Sequence, residues 1–463
     1  MNVEQRSIEF IPHNERHGNV RNLFSIWFSA NTNVMPLLNG CMGIVLGLNI
    51  FWTLIAMILG NLIGGLFMAF HSAQGPKLGI PQMISSRVQF GVIGAAIPII
   101  MVFVGCPLFG AAESLLVVDA IKSVVSVPEV IGLVIFGVAT IFITFFGYDF
   151  IHKFSNVMTI LSLITFALTT VFALQLDLPA GAWSASQGFN LGAFLVVMGL
   201  GASWQIGYGP CVADYSRYLP AHTSTASTFW YTYTGTVLSG IWMPLVGAII
   251  AAGIPNAADH INTSIATLFG PFAPLAYISL ILGIIIMNTV ITYSGYMSLV
   301  TCFSYNKQHI SKNSKFWIIT FIVALGTIIA ITTKDHFNDY FGDIMVFQMY
   351  YLIPWTSVNL IDFYFFRKGK YNIPEVYDVN GVYGKYNWST MAVYIVSFFI
   401  QIPFMSFSFY KGPMFTALGG ADITWIVGLA ASGILYYFFM GPKVKNRLSK
   451  ELNVENDEKR VAQ

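Results

Sequence analysis

Charge is what this sequence lacks. Of its 463 residues only 10% are Asp, Glu, Lys or Arg, while 56% are hydrophobic and 15% aromatic. An ordinary soluble domain is roughly 25% charged, and a soluble chain of this length needs far more polar surface to cover its core. The composition therefore excludes a soluble enzyme or binding protein and makes lipid the solvent. The net charge of +2 is too small to suggest a nucleic-acid partner. Cysteine is scarce as well. Cys41, Cys106, Cys211 and Cys302 lie in apolar runs at wide spacing, which argues against a disulfide framework and against a zinc site. All eight histidines fall between the apolar spans, so no intramembrane metal and no cofactor is expected. The first 21 residues carry Glu4, Arg6, Glu9, His13, Glu15 and Arg16, unlike a cleavable signal peptide.

What the chain has instead is long apolar runs. A spanning helix needs about 20 mainly apolar residues, because the hydrocarbon core is about 30 Å thick and each residue rises about 1.5 Å. No charged residue occurs between Arg21 and Lys77, a run that holds two spans, 22–47 and 50–71, joined tightly near Gly47–Asn49. Further spans are expected at 95–121, 130–148, 155–175, 191–211, 229–253, 271–300, 316–333, 343–361, 388–409 and 423–441, twelve in all. They lack period-2 alternation and are too long for barrel strands. With the N-terminus inside, the outer loops hold only Lys122, Lys334 and Lys411, and the other twenty of the 23 basic residues lie inside. That split is what the positive-inside bias produces. The expected protein is an all-α multi-pass protein of the plasma (inner) membrane with both termini cytoplasmic. It has tails at 1–21 and 442–463 and one transmembrane domain at 22–441. A first repeat covers 22–175, a second 191–361, and two accessory helices 388–441.

Two spans carry polar, helix-breaking clusters at mid-membrane. The first reads Ser29-Ala30-Asn31-Thr32-Asn33-Val34-Met35-Pro36, followed by Asn39-Gly40. The sixth reads Gly201-Ala202-Ser203-Trp204-Gln205-Ile206-Gly207-Tyr208-Gly209-Pro210. Proline removes a backbone donor and glycine tolerates non-helical angles. Freed backbone groups in lipid cost several kcal/mol each, so a break survives beside a cavity or a polar ligand. A single such cluster is often a simple kink. Here the clusters occupy corresponding positions of two five-helix halves, the layout of transporters built from inverted repeats with the site at the interrupted helices.

Four segments then carry a resemblance. Ala213-Asp214-Tyr215-Ser216-Arg217-Tyr218-Leu219-Pro220 follows the sixth span. Gly75-Pro76-Lys77-Leu78-Gly79-Ile80-Pro81-Gln82, with Ser86-Arg87 and Phe90-Gly91, joins the second and third. Gly147-Tyr148-Asp149 with Ile151-His152-Lys153 ends the fourth, and Ile353-Pro354-Trp355-Thr356 with Asn359-Leu360-Ile361-Asp362 ends the tenth. In their order along the chain, across about residues 18–370, they resemble the nucleobase–cation symporter-1 family, particularly its purine–cytosine permease branch. The resemblance implies the five-plus-five inverted repeat of the leucine-transporter type plus two accessory helices. It also implies a nucleobase as small-molecule substrate, cation symport by H+ or Na+, and no obligate protein partner.

A pocket for a flat, donor- and acceptor-rich base needs an aromatic face and an amide or carboxyl to read its edge. Stacking is worth roughly 1–3 kcal/mol per base, and a site built to hydrogen-bond its ligand rejects analogues that leave its polar groups unpaired. In the family a tryptophan ten residues before the aspartate of the sixth-span motif stacks on the substrate, and here that is Trp204, with Gln205 beside it as a further amide. Asn288, five residues before Tyr293-Ser294, stands where related permeases carry a substrate-binding asparagine. An isolated intramembrane Asn can also be interhelical glue worth around 1 kcal/mol. The third span departs from the family pattern of glycine, tryptophan and glutamine: Phe109 stands for the aromatic and Glu113, one turn on, for the glutamine. Glu113 is the only acid well inside a span. A charge there costs about 2.5–3.5 kcal/mol on insertion scales, so it is expected to bind the base edge or to take the coupling proton, the alternative being a protonated acid bonded to a neighbouring helix.

In sodium-coupled relatives, first-span carbonyls pair with hydroxyls just before the eighth-span asparagine. Those places hold Ile285, Ile286 and Met287, leaving the carbonyls near Ala30 and Asn33 and the hydroxyls of Thr289 or Thr292. Proton coupling is therefore favoured, with Asn33 also a candidate substrate contact, while Asp214 and Arg217 are expected to be structural. The rivals are a sodium-coupled carrier of a heterocycle such as allantoin or hydroxymethylpyrimidine, or an amino-acid carrier on the same fold. A channel or a membrane enzyme would need pore-lining repeats or clustered intramembrane acids and histidines.

Overall fold

A computed structural model describes residues 8–146, 148–303 and 311–461, without the side chains of 148–158, 337–339 and 446–461. The motif around Gly147-Tyr148-Asp149 and Ile151-His152-Lys153, Lys307, and the basic residues from position 446 on lie outside these described side chains. Helices dominate. The first span is split into α1 (Asn22–Ala30) and α2 (Val34–Val45), and the second is α3 (Ile50–Ser72). The third to fifth are α4 (Ala96–Val124), α5 (Glu129–Phe146) and α6 (Tyr148–Ala173). The sixth is divided into α7 (Leu191–Gly207) and α8 (Gly209–Ser216), and the seventh is α9 (Thr225–Gly253). Then come α10 (Ala273–Phe303), α11 (Lys312–Thr333), α12 (Phe337–Leu360), α13 (Trp388–Gln401) and α14 (Thr424–Val461).

Among the described residues nine helices are long and apolar enough to cross a membrane, and shorter apolar helices at Val34–Val45, Thr159–Ala173 and Trp388–Phe404 supply the missing first, fifth and eleventh positions. The chain is thus a multi-pass membrane protein. The eleventh helix ends sooner than hydropathy suggests, because the chain turns at Pro403 and Ser406 bridges Lys411 in an isolated antiparallel pair.

The helices sort into two lobes. α1, α2, α3, α7 and α9 pack together as one, and α4, α5, α10 and α11 as the other. The first, second, sixth and seventh spans thus face the third, fourth, eighth and ninth, as an inverted five-plus-five repeat requires, while α13 and α14 pack on each other and on α12. Small residues set the closest approach. Gly60 and Gly64 of α3 lie against the backbone of Met198 and Ala202 in α7, with no room for a Cβ, the small-xxx-small contact typical of membrane helix pairs.

Side-chain contacts also divide the loops between two faces. On one face Asn49 donates to the carbonyls of Ser184 (2.7 Å) and Gln187 (2.9 Å), Asp119 meets His260 (3.3 Å), and Lys122 meets Glu129 (3.3 Å). On the other, the N-terminal segment runs beneath the bundle. Ile11 donates to the Gly79 carbonyl (2.9 Å), His17 to that of Tyr218 (2.7 Å), and the Arg16 guanidinium to that of Pro76 (2.6 Å). Tyr377 closes the same belt on the Ile8 carbonyl (2.8 Å). The described N-terminal segment and the loops at 76–79, 218 and 377, all expected inside, therefore share one face.

The segment between α3 and α4 is not a solvent loop. Its short helical turns at Gly75–Leu78, Gln82–Ser85 and Arg87–Phe90 are almost wholly buried. Here one sequence expectation fails. His71 is not between spans: it lies in the last turn of α3, fully buried, stacked on Trp355 with ring centroids 4.6 Å apart and facing Gln82 and Thr356. The inward-folded segment makes this helix end an interior site.

Candidate functional site

The two interruptions differ. In the first span α1 stops at Ala30, and Asn33 takes up extended backbone (φ −151°, ψ 176°) before α2 begins. Asn33 staples this break, its Oδ1 accepting from the Met35 amide (2.9 Å) and its Nδ2 donating to the Ala30 carbonyl (2.7 Å). In the sixth span only Tyr208 interrupts the helix, and its angles stay helical (φ −79°, ψ −14°). The expected unwinding is here a one-residue interruption. Pro210 falls in the first turn of α8, where its missing N–H has no helical partner to lose. Gly207 lets Gln348 of α12 approach, and Gln348 donates to the Ser203 carbonyl (3.1 Å).

The breaks meet through Tyr208, whose hydroxyl donates to the Ala30 carbonyl (3.3 Å). One turn earlier, and so on the same helix face, Trp204 is buried with its ring edge-on to Tyr208 (centroids 5.9 Å, 90°). The Trp204 indole donates to Asn31 Oδ1 (2.8 Å). Asn31, fully buried, donates in turn to the Thr236 carbonyl (2.9 Å), Thr236 Oγ1 (3.0 Å) and Ser239 Oγ (3.2 Å) of α9. The plane of the indole is thus fixed by a residue of the first-span break, which is itself fixed by the seventh span.

From the other lobe, α4 brings Phe109 and Glu113 and α10 brings Asn288, which donates to the Gly110 carbonyl (3.3 Å) and accepts from the Thr292 hydroxyl (3.2 Å). Glu113 is 1% exposed and its Oε2 has no hydrogen-bond partner. Trp204 thus lies beside the first-span break in one lobe, while Phe109, Glu113 and Asn288 lie on α4 and α10 of the other.

Other expected site residues are turned toward protein. Gln205 is fully buried, its amide donating to Asn61 Oδ1 (2.7 Å) and the Thr236 carbonyl (3.1 Å) while its oxygen takes the Thr236 hydroxyl. The Ala30 carbonyl already accepts from Asn33 and Tyr208, and the Thr289 hydroxyl donates to Ile285 (2.8 Å).

Three residues join the arrangement that sequence reasoning did not assign to it: Asn31, Tyr208 and Gln348. Tyr208 was detectable, being one turn from Trp204. Asn31 was visible in the polar cluster, but nothing in the sequence separates its role from that of Asn33.

The inner-mouth motif residues are structural. Asp214 accepts from the Gln82 amide (2.8 Å), the Arg217 guanidinium donates to the Asp214 carbonyl (3.3 Å), and Trp355 donates to Ser86 (2.8 Å). Asp362, 1% exposed, accepts from Tyr436 (2.9 Å), Tyr371 (3.0 Å) and Gln89 (3.1 Å) and faces Arg367 at 3.4 Å.

Paired halves with broken spans facing each other define a membrane transporter of the five-plus-five type. A family described as permeases for cytosine/purines, uracil, thiamine and allantoin matches residues 10–428. A putative purine–cytosine permease of Bacillus subtilis (strain 168) is 41% identical over 96% of this chain and 98% of its own. A purine–cytosine permease of Emericella nidulans is 24% identical over 94% of this chain and 88% of its own. In fold, the chain is similar to Mhp1, a nucleobase–cation-symport-1 family transporter solved in a closed conformation with bromovinylhydantoin bound (TM-score 0.74, 16% identity, 97% of each chain). The chain belongs to the nucleobase–cation symporter-1 family, in its purine–cytosine permease branch, a family of transporters and not of enzymes.

Proposed function

We propose that the protein imports a nucleobase, cytosine or a purine, across the plasma membrane by symport with a proton, both termini facing the cytoplasm. The observations that carry this reading are an indole held by Asn31 beside the first-span break and, on α4 of the other lobe, a buried carboxyl with an unpartnered oxygen. A base stacked on Trp204 presents its edge to Asn288 and Glu113, with Phe109 completing the apolar wall. The names of the relatives support the substrate class.

Glu113 is the coupling group. A carboxyl exchanging one proton as the lobes alternate needs no cation cage, and the Ala30 carbonyl, one oxygen such a cage would use, already carries two donors. Gln205 and Asn33 then act by holding the interruptions in shape. The excess of basic residues in the loops expected inside supports the cytoplasmic orientation.

The test is uptake of labelled cytosine, adenine, hypoxanthine, uracil and allantoin into proteoliposomes, with Na+ and pH varied separately. Accumulation of cytosine or a purine driven by a pH gradient and indifferent to Na+ is expected. Strict Na+ dependence removes the proton assignment, and uptake of allantoin alone removes the nucleobase.

A further inference from the structure

Beside Asn288 a narrow crevice runs between α4, α5, α10 and α11. Phe136 and Ile322 contribute apolar wall, and Ser114, Thr140, Asn288 and Thr292 line it with polar groups. Its space suits about one water molecule. Thr140 is fully buried and its Oγ1 has no hydrogen-bond partner. Some threonines of the spans return their hydroxyls to their own helix, as Thr289 does to Ile285 and Thr327 to Val323 (2.9 Å); Thr53, Thr144, Thr320 and Thr390 share an unpartnered hydroxyl with Thr140, but only Thr140 of these lines the crevice.

The neighbouring hydroxyls have already spent their protons: Ser114 donates to the Gly110 carbonyl (2.6 Å) and Thr292 to Asn288 Oδ1 (3.2 Å). What Ser114 and Thr292 offer the crevice is lone pairs, and what Thr140 offers is a free O–H. One water satisfies all three, donating two hydrogen bonds and accepting one, and buried waters characteristically serve such otherwise unsatisfied groups.

We propose that this crevice is a water-binding site and that Thr140, through the bound water, is a positioning residue for the Asn288 carboxamide. The two protein bonds of Asn288, at 3.3 and 3.2 Å, are long and hold the amide weakly. A water anchored on Thr140 and Ser114 braces the Thr292 hydroxyl, and with it the orientation in which Asn288 meets the substrate. This role rests on the reading of Asn288 as the amide that reads the base, whereas the water site itself does not.

Two variants separate these parts. Thr140→Val keeps the shape and removes the hydroxyl, and Thr140→Ser keeps the hydroxyl. A cryo-electron microscopy map of the wild type that resolves ordered water is expected to show a peak within hydrogen-bond reach of Thr140 Oγ1, Ser114 Oγ and Thr292 Oγ1, lost in Thr140→Val. In proteoliposomes taking up labelled cytosine or adenine, Thr140→Val is expected to raise KM about fivefold with Vmax retained, the loss of one ordinary hydrogen bond, while Thr140→Ser stays near wild type. A wild-type map without the peak overturns the site. A lost peak with unchanged KM overturns the positioning role, and loss of Na+-stimulated uptake in Thr140→Val overturns water in favour of a cation. A peak in a protein that carries neither base supports the site and overturns only the reading of Asn288.

Discussion

Replacing Asn31 by alanine should uncouple the indole of Trp204 from the rest of the bundle. Asn31 accepts from Trp204 and donates to Thr236 and Ser239 with no solvent exposure. The variant leaves the indole N–H buried without an acceptor, which costs about 1–3 kcal/mol, and removes hydrogen bonds to α9 worth about 1 kcal/mol more. A loss of about 2–4 kcal/mol of stability follows. It is readable in detergent as earlier thermal exposure of the buried Cys41 thiol to a reactive dye. An indole free to turn also stacks less well, so KM for the transported base should rise about tenfold, which is about 1.4 kcal/mol. Trp204→Phe keeps an aromatic face but has no N–H. A double-mutant cycle on KM should therefore give a coupling of about 1–2 kcal/mol between Asn31 and Trp204, within the range found for residues in contact. Strictly additive effects, or an Asn31→Ala protein with wild-type KM and stability, would refute the reasoning.

Four further outcomes are expected. Glu113→Gln should still exchange labelled base across the membrane but lose accumulation driven by a pH gradient, and an unchanged pH dependence of uptake counts against Glu113 as the coupling group. Gly64→Leu forces α3 off the Ala202 backbone, an overpacking of about 1–3 kcal/mol or more, and should yield aggregated protein on size-exclusion chromatography. Gly342→Ala, where no atom lies within 4 Å of an added Cβ, should behave as wild type. Asp362→Asn removes the carboxylate that faces the Arg367 guanidinium, also 1% exposed on its side chain, a change to a buried ion pair that costs about 3–5 kcal/mol. Its melting temperature should fall sharply, and Arg367→Met in the same protein should restore part of the loss.

Hydropathy made the fold legible because lipid leaves the backbone few choices. The expected 50–71 became Ile50–Ser72, and 229–253 became Thr225–Gly253. Asn49 was legible as a boundary because its side chain caps α3 by accepting from the Trp52 amide (3.0 Å). What hydropathy could not register is polar sequence folded inward. Gln82, Arg87 and Gln89 look like loop residues, yet they are buried, and they make the end of α3 around His71 an interior site. Among the candidate site residues, the family resemblance pointed to Trp204 and Asn288, and the scarcity of intramembrane acids pointed to Glu113. Direction was the missing information: Gln205, one residue and about 100° further around the helix, points to Asn61 and Thr236 instead. The strength of a break was equally hidden. Proline and glycine occur in both clusters, but a proline in a helix's first turn disturbs little, so the sixth span stays nearly continuous.

Equilibrium binding of labelled cytosine and adenine to purified wild type, Trp204→Ala and Trp204→Phe asks whether a planar ring rests on this indole between the two breaks. Wild type should bind one of the bases saturably, Trp204→Phe more weakly, and correctly folded Trp204→Ala not detectably. Near-normal binding by Trp204→Ala would place the substrate elsewhere in the molecule.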